Sequence, residues 1–94
     1  MARDQHMIVL TEPGWTELTD GDAQTVTFQV LTGAIEVRGT PDATPPAVGT
    51  RGLVYNSGGG ELAVSMSVLF ARGDCKRLFA RPVQPQSEVM IDHV

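Results

Sequence analysis

The feature that most constrains this chain is a repeated alternation of apolar and polar residues in short runs. The runs QTVTFQVL (24–31) and AIEVRG (34–39) both show it. Successive side chains of a β-strand point to opposite faces, so this period of two predicts half-buried strands. Thr32 and Gly33 lie between the two runs. From them we predict a tight turn and an antiparallel pair.

Further strands are predicted at RGLVYN (51–56), ELAVSM (61–66), KRLFAR (76–81) and SEVMIDHV (87–94). After the second of these, one helical turn over residues 67–71 is expected, capped by Ser67. Gly58 to Gly60, Pro82 and Pro85 mark turns, and residues 40–50 hold three prolines that predict a stiff, extended loop. The sequence therefore predicts an all-β fold: a single small β-sandwich or barrel of six to seven short antiparallel strands with at most one helical turn.

The size and composition of the chain predict a small core. A domain of 94 residues buries only roughly 60 to 65% of the surface that its unfolded chain exposes. Aromatic residues make up 5% of the chain, so few large side chains are available to fill the interior. We therefore expect part of the stabilising apolar surface to lie between subunits. Residues 14–94 are expected to form the sandwich, and residues 1–13 either an N-terminal arm on a neighbour or a first edge strand.

Five apolar residues are candidates for contacts with another chain because a small sandwich does not obviously bury them. They are Ile8, Val9, Leu10, Trp15 and Phe70. Trp15 lies in an irregular segment ahead of the first long strand. A large amphipathic ring at that position either covers the end of the sandwich or anchors a subunit contact.

The charge pattern argues against nucleic acid as a partner. Seven lysines and arginines oppose eleven aspartates and glutamates, giving a formal net charge of −4. No clustered basic face is present in the sequence, and phosphate neutralisation requires one. Cys75 is the only cysteine, which excludes an intrachain disulfide. The apolar run 7–10 is too short for a signal sequence or a membrane span, so we expect a soluble protein with no membrane partner.

Residues that carry chemistry are scattered in the sequence. Cys75 precedes Lys76, and a neighbouring cation can activate a thiol, but no Cys-His signature accompanies it and an ordinary turn thiol is favoured. Asp20 and Asp22 offer oxygen ligands for calcium, yet the EF-hand pattern is absent and a solvated loop is the better interpretation. His6 and His93 are isolated from each other. We predict no enzyme, no cofactor and no metal site.

Arg72, Gly73 and Asp74 form an Arg-Gly-Asp triplet between two predicted strands. The triplet is either a cell-adhesion loop or a turn. Glycine and aspartate are common turn residues for conformational reasons of their own, and a three-residue match carries little specificity. The turn is the favoured interpretation.

Four segments of residues 14–94 form a pattern along the chain: GWTELTDGDAQTVTFQVLTGAIEVRGT, TPPAVGTRGLVYNSGGG, KRLFARP and VMIDHV. A Trp-x-x-Leu opening leads into a Thr/Val/Gln-rich strand, a valine-bearing strand and a proline-bearing loop. A glycine-rich turn follows, then an LFAR strand and an ending of the form V-x-x-D-H-hydrophobic. This pattern resembles small all-β virion structural proteins of tailed bacteriophages, of the head decoration, head-fibre or spike-base type. The Arg-Gly-Asp triplet is not part of it.

The resemblance implies a structural component of a phage particle, made in the host bacterial cytoplasm and bound to the capsid surface of the virion. Its expected partners are the major capsid protein and further copies of itself, as a homotrimer. The five candidate residues would then be oligomer or capsid contacts. Two alternatives remain open: a base or attachment module for a head fibre or tail spike, and a host-surface binding module that uses Arg72, Gly73 and Asp74.

Overall fold

The computed structural model describes residues 5–11, 13–71 and 73–94. These residues form eight strands and one helical turn: β1 (His6–Leu10), β2 (Thr16–Glu17), β3 (Thr25–Thr32), β4 (Ala34–Thr40), β5 (Leu53–Asn56), β6 (Gly60–Ser65), α1 (Met66–Leu69), β7 (Arg77–Pro82) and β8 (Ser87–His93). The predicted all-β class with one helical turn is confirmed. The strand beyond the predicted number is β2, whose two residues are too few to show an alternation.

The strands form two four-stranded sheets. Sheet A has the order β1-β8-β3-β6 and sheet B the order β2-β7-β4-β5, and every pairing is antiparallel. The pairs β1·β8, β2·β7, β3·β6 and β4·β5 are nested, as in one long hairpin, and alternate pairs lie in opposite sheets. This strand order defines a jelly-roll β-sandwich. The tip of the long hairpin is the loop between β4 and β5, residues 41–52.

The predicted pairing of the runs 24–31 and 34–39 is wrong, because β3 and β4 lie in different sheets. Both edges of β3 are occupied by β8 and β6, and both edges of β4 by β7 and β5. Gly33 turns the corner between the sheets with φ of 81°, and a Cβ there would clash with the hydroxyl of Ser87. That hydroxyl accepts a hydrogen bond from the N–H of Ala34 at 3.2 Å. Local alternation identifies a strand but does not say which neighbour it pairs with.

The core lies between the sheets and is mainly aliphatic. The inward faces of the long strands are fully buried and contribute Val26, Phe28, Val30, Ile35, Val37, Leu78, Ala80, Val89 and Ile91. Burying each large apolar side chain contributes about 1.5 to 3 kcal/mol relative to leaving it exposed. The Phe28 ring packs edge-to-face on Tyr55, with centroids 4.9 Å apart. This contact ties the central strand of sheet A to the edge strand β5 of sheet B.

The helical turn α1 begins at a different cap from the predicted one. Ser65, in extended conformation, accepts a hydrogen bond from the N–H of Ser67 at 3.2 Å. Ser67 therefore lies inside the turn and donates its N–H instead of capping it. The last residue of β6 is also the N-cap, so the helical turn starts directly where the strand ends.

The N-terminal segment belongs to its own sheet. Residues of β1 pair with β8 in a continuous register, with Met7 opposite Met90 and Val9 opposite Glu88. Of the two alternatives for this segment, an edge strand is what residues 6–10 form. An arm would have required them to leave the sheet. Residues 1–4 and Glu12 lie outside the described part of the chain.

Candidate interaction surfaces

A buried carboxylate organises the outer face of sheet B. Glu36 alternates with core residues along β4 and therefore points away from the core, yet its side chain is only 4% exposed. Its Oε2 accepts hydrogen bonds from Arg51 Nε at 2.9 Å and from the N–H of Gly52 at 2.6 Å. Its Oε1 accepts one from Arg81 Nε at 2.8 Å. Burial opposes ionisation, but these donors outweigh it and lower the pKa of Glu36 to about 2.

Arg81 also holds the loop 41–52 over the outer face of sheet B. Arg81 donates from Nη1 to the carbonyl of Val48 and from Nη2 to the carbonyl of Thr50, both at 2.9 Å. The loop was predicted to be stiff and extended, and its last residues lie against the sheet through these bonds. Gly52 makes the close approach possible, because a Cβ there would clash with the carbonyl oxygen of Val37. The chain itself therefore covers the part of the outer face of sheet B around Glu36 and Arg81, while Val54 on β5 stays exposed.

Trp15 lies beside this network. The guanidinium carbon of Arg81 is 4.5 Å from the centroid of the Trp15 ring, which is a cation–π contact. The ring is half-buried, and its Nε1 is buried without a hydrogen-bond partner among the described residues. Trp15 thus covers Arg81 on the outer face of sheet B and not the end of the core. Its contact with another chain stays a prediction.

A second ion-pair group joins the Asp20–Asp22 loop to β7. Arg77 donates from Nη1 to Glu17 Oε2 at 2.8 Å and from Nε to Asp22 Oδ1 at 2.9 Å. The hydrogen bond from Arg77 lowers the pKa of Asp22. Buried His93 accepts the N–H of Asp20 on Nε2 at 2.9 Å. The loop that was expected to be solvated is therefore held to β7 and β8 by protein groups, and no group of three or more potential metal ligands exists among the described residues.

A cavity of about 420 Å³ opens at one end of the sandwich. It lies between the end of β4, the start of β5 and the segment after α1, and its walls are formed by Arg38, Gly39, Arg51, Gly52, Leu53, Leu69, Phe70, Ala71 and Cys75. The Phe70 ring lies over Gly39, where a Cβ would come within 2.6 Å of it. Phe70 is half-buried, and part of its surface lines the cavity. Cys75 is buried in the core cluster beside the cavity.

The β5 and β6 edges are tied to each other across the sandwich. The hydroxyl of Tyr55 donates a hydrogen bond to Glu61 Oε2 at 2.9 Å. Burial and this carboxylate raise the pKa of Tyr55 to about 12.

The register of β3 with β6 shifts between Val26 and Phe28, and Ala63 has φ of 47°. A bulge of this kind interrupts the regular edge of a strand.

The β1 edge of sheet A is different. Met7 and Val9, on the outer face, are 48% and 46% exposed, and Ile8 between them is half-buried against the core. Leu10 is fully buried in the core, so its predicted role as a contact residue is wrong. Met7, which was not among the candidates, is exposed on the outer face instead. The alternation along the strand could have indicated Met7, because Met7 and Val9 lie on the face opposite to Ile8.

The structure describes part of the Arg-Gly-Asp triplet. Arg72 lies outside the described residues, while Gly73 and Asp74 are exposed in the connection between α1 and β7. Gly73 has φ of 84°, a conformation that glycine adopts without steric cost. This geometry is that of a turn.

The described residues thus form a small jelly-roll β-sandwich with a partly covered outer face on sheet B, an exposed β1 edge on sheet A and a cavity between β4, β5 and the segment after α1. Comparison with known proteins finds no matching family model, no significantly similar curated protein and no significantly similar solved structure. Among the described residues, no helix is long and apolar enough to cross a membrane.

Proposed function

We propose that this protein is a virion structural protein of a tailed bacteriophage that binds the exterior of the capsid and stabilises the head, with no enzymatic activity. The resemblance of residues 14–94 to such proteins carries the proposal. The jelly-roll strand order supports it, because this architecture recurs in viral capsid domains. A fold does not by itself assign a function, so the surface must also be suited to the task.

The surface that suits it best is the β1 edge. The strand HMIVL has no lysine, acidic residue, proline or bulge, and these are the usual devices that keep an edge from pairing with another chain. Among the four edge strands β1 is the longest one with a regular register, since β2 has two residues, β5 has four and β6 is bulged. A closed homotrimer would cover β1 in each copy.

Stabilisation of the head follows from multivalency. A trimer that contacts several capsid subunits sums weak contacts into a strong one. Because it binds the assembled lattice and not free subunits, it shifts the equilibrium toward the lattice by mass action. The expected contact residues on this proposal are Ile8, Val9, Trp15 and Phe70, joined by Met7.

The test is the molar mass in solution by light scattering, followed by co-sedimentation with assembled phage heads. We expect a trimer that sediments with heads. Val9→Lys places a charge on the β1 edge and should yield monomers, while the matched control Val83→Lys, on an exposed loop valine, should leave the trimer intact. A monomeric wild-type protein that ignores heads would refute the proposal.

A second candidate is a base or attachment module for a head fibre or tail spike, to which the same resemblance extends. The number of copies per particle separates the two, because a fibre base occupies few sites and a decoration protein occupies the lattice. A host-surface module is the third candidate. Replacing the exposed Asp74 by alanine should abolish host binding on that hypothesis and leave capsid binding unchanged.

A further inference from the structure

The cavity at the end of the sandwich combines an apolar wall with a cationic rim. Leu53, Leu69 and Phe70 supply apolar wall, and Leu53 is 44% exposed. The volume of about 420 Å³ falls in the range of about 300 to 1,000 Å³ typical of ligand pockets. It is large enough for an apolar side chain of a partner and too small for a folded element.

The charge at the rim exceeds what the protein itself neutralises. Arg38 and Arg51 line the cavity, and the carboxylate that pairs with Arg51, Glu36, is shared with Arg81. Arg38 donates to the carbonyl of Arg51 at 2.7 Å and forms no ion pair with any described residue. The side chain of Arg51 is 79% exposed despite its bond to Glu36. In a chain of net charge −4, this is a local surplus of positive charge that complements carboxylates.

The cavity adjoins an edge strand. Leu53 is both a wall of the cavity and the first residue of β5, which is the outermost strand of sheet B. An extended peptide can add to such an edge through main-chain hydrogen bonds while its alternate side chains enter neighbouring pockets. This arrangement favours a peptide over a compact small molecule.

We propose that this cavity binds an extended peptide segment in which an apolar side chain is flanked by carboxylates. The apolar side chain occupies the space between Leu53 and Phe70, and the carboxylates meet Arg38 and Arg51. The peptide backbone pairs with β5. The proposal does not rest on the role in the virion, although Phe70 belongs to both sets of residues, and its test needs only the isolated protein.

The experiment is fluorescence anisotropy with a fluorescein-labelled, amidated peptide, Thr-Asp-Phe-Asp-Val-Thr. We expect binding that weakens at least about tenfold when asparagine replaces both aspartates, because charge-assisted hydrogen bonds are lost. Replacing the phenylalanine by serine should weaken it by a similar factor. Equal binding of the asparagine peptide would overturn the proposal.

Protein variants locate the site. Leu53→Asp should abolish binding, and its matched control Leu62→Asp should not, because Leu62 is an 82% exposed leucine on the edge strand of the other sheet. Arg38→Gln should weaken binding at least about tenfold, whereas Lys76→Gln removes the same charge outside the cavity and should have no effect. Circular dichroism checks that each variant folds. If Leu53→Asp fails to fold, Arg38→Gln still tests the site.

Two further outcomes would contradict the proposal. The first is an absence of peptide binding up to about 1 mM, a very weak affinity. The second is binding of sodium decanoate that is sensitive to Leu53→Asp, without binding of the peptide. That result would assign the cavity to small amphiphilic carboxylates instead.

Discussion

The two sheets of this sandwich have similar inner faces and very different outer faces. On sheet B, Glu36 and Arg81 are held under the loop 41–52 and the Trp15 ring. On sheet A, Met7 and Val9 remain exposed along an open edge. The same alternation of residues therefore produces a partly self-covered outer face in one sheet and an exposed edge in the other. The difference depends on which distant segments return to each sheet.

The largest expected effect is at the buried carboxylate. Glu36→Gln removes the charge that Arg51 and Arg81 require, and breaking a buried ion pair typically costs about 3 to 5 kcal/mol. We expect a loss of about 3 kcal/mol because Arg51 is largely exposed. Urea unfolding measures it. The matched change Glu88→Gln on sheet A should cost less than about 0.5 kcal/mol, and equal losses would contradict the comparison.

Acid should act through the same residue. The pKa of Glu36 is about 2 in the folded protein, below its ordinary value of 4.5. Its contribution to stability is therefore fully present above pH 4.5 and is lost as the pH falls toward 2. The shift corresponds to at most about 3 kcal/mol. The difference in unfolding free energy between wild type and Glu36→Gln should shrink across this window, and a constant difference would refute the assignment.

A smaller effect is expected at Trp15. Trp15→Ala removes the ring from Arg81 and should cost about 1 to 2 kcal/mol through lost burial and cation–π contact. Trp15→Phe keeps an aromatic ring and removes a buried N–H that has no partner among the described residues. It should change stability by less than about 1 kcal/mol. Thermal unfolding distinguishes the two variants, and a larger loss for phenylalanine than for alanine would show that the indole N–H is needed.

The smallest effect on folding is expected at the open edge. Met7→Ser, at a half-exposed position of sheet A, should lower the stability of the monomer by about 0.5 kcal/mol or less. It should nevertheless weaken self-association, because it removes apolar surface from the proposed contact. Sedimentation velocity measures the association. A variant that loses stability but keeps its oligomeric state would place Met7 in the fold and not in the interface.

The sequence predicted the elements better than their partners. Alternation around Phe28 and Ile35 located β3 and β4, since side-chain direction in a strand is a local property. The corner at Gly33 was interpreted as a hairpin, because pairing depends on strands far along the chain. Leu10 was expected at a contact and lies in the core, since one residue of shift along a strand reverses its face. The hydrogen-bond partners of Glu36 come from the loop 41–52 and from β7, and nothing in AIEVRG reveals them.

We propose that this protein associates through the β1 edge of sheet A, while much of the outer face of sheet B is covered by its own chain. Hydrogen–deuterium exchange of the wild-type protein, compared between dilute and concentrated solutions, tests it most directly. We predict that amides of residues 6–10 exchange more slowly at high concentration and that those of loop 41–52 do not change. Exchange at β1 that is independent of concentration, with new protection in the loop, would place the contact at the loop and not at β1.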